Sequence, residues 1–181
     1  LPPLDPEEKR VEALEKMFTF LKGRPYRLIL FRGRRELFVD DAIKYRNNGQ
    51  WTDFYLAFDK ARELVAADYP PGADLRLVLI TDAILDPSPA DWADMNVPQG
   101  VDLKAHVVEK TLGLIKEMNI PLYVIGGRST IVPLETQEEL RKTLPNAAIV
   151  TMPGLGHYPS DEKPQEFLAI VDGFLKATRQ P

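Results

Sequence analysis

The chain has 181 residues, 44% of them apolar and 28% charged, with 23 Lys+Arg against 27 Asp+Glu. That balance suits one globular domain and excludes wholesale disorder, and the net charge of −4 argues against nucleic acid or an anionic membrane as partner. With no Cys and two His, it has no disulfide, no thiolate chemistry, no Cys-built zinc site and no multi-His metal centre.

In chain order, Asp5-Pro6-Glu7-Glu8 opens a helix, with Asp5 as cap and Pro6 at the first helical position. Val11, Leu14, Phe18 and Leu21 follow on one face, and Gly23 closes the helix. Arg27–Phe31 is a compact apolar run that reads as a buried strand. Glu36–Val39 is a second strand, too close to the first for a parallel crossover, so the two should pair antiparallel. A helix begins after Thr52-Asp53, with Phe54, Phe58, Ala61 and Val65 inward. Leu75–Ile80 is apolar nearly throughout and is expected at the centre of the sheet. Residues 83–101 read as a long Pro- and Asp-bearing loop.

Leu103–Met118 should be a helix with Val107, Val108, Leu112 and Ile115 inward. Pro121–Ile125 is a buried strand, Thr136–Glu139 a capping box, Ala147–Met152 the last strand. Phe167, Ile170, Val171 and Phe174 define the last helix. Strict alternation after Leu75 predicts a three-layer α/β sandwich. Its sheet would be five-stranded and mostly parallel, with an antiparallel edge hairpin and a Rossmann- or flavodoxin-like 2-1-3-4-5 order. No domain boundary, internal repeat or membrane-length apolar run is visible, and no signal peptide, so residues 1–181 are expected to form one soluble, cytoplasmic domain.

In such a sheet, ligands bind beyond the carboxyl ends of the strands. The segments expected there are Thr52-Asp53, Thr81-Asp82, Gly126–Thr130 and Gly154–His157. Gly126-Gly127-Arg128-Ser129-Thr130 matches no phosphate-binding fingerprint and reads as a strand-ending turn. Arg32, Arg34 and Arg35, with Glu36 and Asp40 nearby, read as a solvated hairpin. His106, between Ala105 and Val107, reads as a partly exposed packing residue.

Two resemblances follow. The segments RLILFRGRRELFVDD, NNGQWTDFYLAFDKARELV, LRLVLITDAILDP and LIKEMNIPLYVIG give residues 6–125 a likeness to a von Willebrand factor type A domain. The resemblance implies a divalent cation above the sheet, with Thr52 and Asp82 in two of its ligand positions. The D-x-S-x-S element and the opening strand that carries it are missing, so at most a vestigial Mg²⁺ site is expected. The ordinary alternative is that Thr52 or Asp53 caps its helix and Asp82 bonds a loop.

Residues 121–177 resemble the C-terminal end of an α/β-hydrolase, through PLYVIGGRSTIVPLETQEELRKTLPNAAIVTMPGLGHYPSDEKPQEFLAIVDGFL. That resemblance places His157 at the catalytic His position. Ser129 or Thr130 stands where the triad acid belongs, and the chain has no G-x-S-x-G elbow. An imidazole without nucleophile and acid cannot run triad chemistry. Asp82 as an unconventional nucleophile near His157 is the remaining catalytic option. The resemblances meet at Pro121–Ile125, which suggests a chimeric or designed chain. The expected function is a non-catalytic α/β scaffold or binding module for a protein partner, with no cofactor; the alternative is a hydrolase-like enzyme using His157.

Overall fold

The computed structural model describes residues 9–32, 36–40, 52–81, 86–126, 142–152 and 163–177. Their elements are α1 (Lys9–Phe20), β1 (Ile29–Arg32), β2 (Glu36–Val39), α2 (Phe54–Asp68) and β3 (Leu77–Thr81), then α3 (Pro89–Trp92), α4 (Leu103–Met118), β4 (Leu122–Gly126), β5 (Ala147–Thr151) and α5 (Pro164–Ala177). The class is α/β. The described strands form two sheets, β1-β2 and β3-β4-β5, rather than the single five-stranded sheet expected. The residues gather into two compact units.

One unit holds β1, β2, α2, α3 and α4. β1 and β2 pair antiparallel, Ile29 opposite Val39 and Arg32 opposite Glu36. Asp40 closes the ladder: its N–H donates to the Leu28 carbonyl at 2.9 Å and its carboxylate accepts the Leu28 N–H at 2.7 Å. Phe31 meets Phe54 of α2 edge-on at 5.8 Å. α2 buries Ala57, Phe58 and Ala61, close to the face its spacing predicts. α4 is capped by Asp102, which accepts the Ala105 N–H at 2.9 Å, and ends at Asn119 in the left-handed region.

The buried stripe of α4 differs from the sequence reading. His106, Val107, Thr111, Leu114 and Ile115 are buried, while Val108 is exposed and Leu112 half-buried. Thr111 can be inward because its hydroxyl donates to the Val107 carbonyl at 2.7 Å, so burial leaves no orphaned donor. Apolarity alone favoured Val108 and Leu112; backbone satisfaction of a threonine lets the helix turn a different stripe to the core.

The other unit holds α1, β3, β4, β5 and α5. The three strands are parallel, with Leu77 opposite Leu122 and Leu122 opposite Ala147. The 3-4-5 part of the expected order is therefore seen. β4, not β3, is the central strand of this sheet, which corrects the placement of Leu75–Ile80 at the centre. β3 carries a similarly apolar run, and its Val78 is among the exposed large hydrophobics.

Strand residues alternate between faces. Ile80, Tyr123 and Ile125 share the face that meets the helices. Its core is Ile125, Met152, Phe167 and Val171, with Met17 and Phe20 of α1 and Leu168, Ile170 and Leu175 of α5 packed around. Tyr123 stacks on Phe174 at 4.3 Å. Fully burying a side chain the size of Phe167 contributes about 1.5–3 kcal/mol. At the rim, Asp172 pairs with Arg24 at 3.2 Å and Lys176 at 2.5 Å. These cations, Lys176 first, hold its carboxyl below the usual range.

Candidate functional site

Thr52 sits two residues ahead of α2 and is half-buried. Its backbone is fully used. The Thr52 N–H donates to the Asp86 carbonyl at 2.7 Å, and the Asp86 N–H donates back at 3.0 Å, an isolated antiparallel bridge. The bridge fixes Asp86, four residues beyond Asp82 in sequence, beside the start of α2. Asp82 itself lies outside the described residues, as do His157, Gly127–Thr130, Arg34 and Arg35. Gly126 ends β4 and Arg32 ends β1.

Asp53 is the cap of α2. One carboxylate oxygen accepts the Tyr55 N–H at 2.9 Å, and the other accepts the Trp92 indole N–H at 2.7 Å. The residue is only 4% exposed. Burial pushes its carboxyl above the ordinary range, outweighing the hydrogen bonds from Trp92 and from the Tyr55 and Leu56 backbone, which pull it down. A buried carboxylate survives when its lone pairs are satisfied, and here each oxygen is met by an N–H.

The residue supplying the second bond comes from the segment expected to be a loop. Residues 83–101 contain α3, one turn of helix opened by Pro89, and its Trp92 is 3% exposed. The indole touches Tyr55 of α2 at 5.2 Å and His106 of α4 at 5.7 Å, both edge-on. Trp92 thus ties three helices together. Burial, followed by the nearby Asp59 charge, raises the Tyr55 hydroxyl above its ordinary range. Lys104 reaches Asp86 at 3.2 Å and adds an exposed tie to the same segment.

His106 is 6% exposed, a correction to the partly exposed position expected of it. Its Nε2 is buried and has no hydrogen-bond partner among the described residues. The sequence offers one clue to this cluster: a Trp, the largest apolar side chain, in a Pro- and Asp-rich stretch. Such a residue anchors a segment more often than it floats in solvent. Its partner, 39 residues away, has no local signature.

Chemically, the cluster is a fastener. Asp53 is nearly buried and both its oxygens are met by N–H donors, so it is poorly placed to ligate a cation or take a proton from a substrate. Among the described residues, no group of three or more His, Asp or Glu side chains could hold a metal ion. Of the two residues assigned to the cation by resemblance, Thr52 lies among the described residues and Asp82 does not. No helix among the described residues is long and apolar enough to cross a membrane.

Comparison with known proteins gives a partial likeness. No protein-family model matches the sequence. Over 54 residues the chain is 41% identical to the sn-1-specific diacylglycerol lipase ABHD11 of Mus musculus. The match takes in 30% of this chain and 18% of that protein, so it spans under a fifth of the relative's length. It supports the α/β-hydrolase resemblance for part of the chain. That relative gives no support to the von Willebrand factor type A resemblance.

Proposed function

We propose that this chain is a non-catalytic α/β scaffold or binding module that contains a hydrolase-derived segment. One observation carries the reading: both oxygens of Asp53, the buried acid beside the expected ligand-binding end of the fold, are committed to Tyr55 and Trp92. Holding structure together is what that acid does. Within this proposal, residues 6–125 derive from a von Willebrand factor A-like part joined at Pro121–Ile125, and the function is to bind another protein. Neither nucleic acid nor a membrane is a partner, and the location is cytoplasmic. A divalent-cation site at Thr52 and Asp82 is vestigial.

The test is ester hydrolysis. A p-nitrophenyl ester incubated with the parent chain and with His157→Ala should turn over no faster than with an unrelated protein. A second arm compares melting with and without millimolar Mg²⁺. Binding to the folded state alone raises Tm as RT ln(1 + [L]/Kd) grows. A Tm rise in the parent that Asp82→Ala abolishes would establish a working cation site and overturn the vestigial reading.

A second reading has its own support. The 41% likeness to a diacylglycerol lipase favours an ester hydrolase using His157, with an acylglycerol ester as substrate. Turnover that disappears in His157→Ala would select it over the binding module.

A further inference from the structure

We draw no further inference here: the strongest candidate, the apolar surface patch that Val101 and Val108 expose just before and along α4, carries nothing because nothing in the structure shows what covers it.

Discussion

Removing the Asp53 carboxylate should loosen the unit built on α2, α3 and α4 more than any other single polar change. Asp53→Ala deletes the cap of α2, a loss of roughly 1 kcal/mol. It also strands the buried Trp92 N–H, at roughly 1–3 kcal/mol. Relief of carboxylate desolvation offsets part of this, so a net loss of about 2 kcal/mol is expected. Asp53→Asn keeps one carbonyl oxygen and should lose about half as much, near 1 kcal/mol.

Trp92→Phe keeps an aromatic ring and removes the donor. The double variant Asp53→Ala/Trp92→Phe should then show a coupling of about 1–2 kcal/mol, because a hydrogen bond to an ionised group is among the stronger ones. Urea denaturation at neutral pH followed by far-UV circular dichroism reads all four proteins, and it avoids relying on indole fluorescence that the substitutions change. Strict additivity of the two single losses, or an Asp53→Ala protein as stable as the parent, would refute the fastener account.

Other outcomes follow from the same packing. The raised Asp53 carboxyl makes the folded state bind more protons than the unfolded chain, so this group's contribution falls as pH rises from its unfolded value near 3.8 through its higher folded one. An NMR titration of its side-chain carbon should place the folded midpoint above 3.8, and a midpoint below that value would contradict the burial argument. Asp172 acts in the opposite sense. Its lowered carboxyl contributes stability above its unfolded value that is lost as pH falls through the folded one, and Asp172→Asn should flatten that acid limb of a Tm-versus-pH curve. Phe167→Ala should cost about 3–5 kcal/mol by emptying the core under α5, whereas Val108→Ala should stay within about 0.5 kcal/mol in the same denaturation assay. Asn119 ends α4 at φ 49°, where a β-branched side chain is strained, so Asn119→Val should lower stability by about 1–2 kcal/mol, more than Asn119→Gly does.

Much of the local structure was legible because its causes are local. Apolar runs became β1, β3, β4 and β5, with ends shifted by at most two positions. The Phe167 and Val171 face of α5 followed from spacing alone, since an amphipathic helix beside a sheet has one way to bury it. Asp53 as a cap was readable too, because an Asp ahead of an apolar helical pattern meets the free N–H groups of the first turn. Of the candidate site, Thr52 lies where the sequence placed it, just ahead of α2, whereas Asp82 and His157 lie outside the described residues.

Tertiary contact decided the rest. Ser88-Pro89 with Asp91 is a helix-start signal within 83–101, but a single turn is not stable alone; Trp92 holds it by reaching the Asp53 carboxylate and rings on α2 and α4. Nothing in Leu103–Met118 ranks Val108 below Thr111, until the threonine hydroxyl finds a carbonyl and its neighbours fill the space around it. Strand order is likewise a property of pairings: the expected 3-4-5 neighbours are seen, but the apolar run of Leu75–Ile80, expected at the centre, forms an edge of the described three-stranded sheet. A sequence fixes which groups want burial or a partner over a few residues. Which distant group answers that want is set only when the chain has closed on itself.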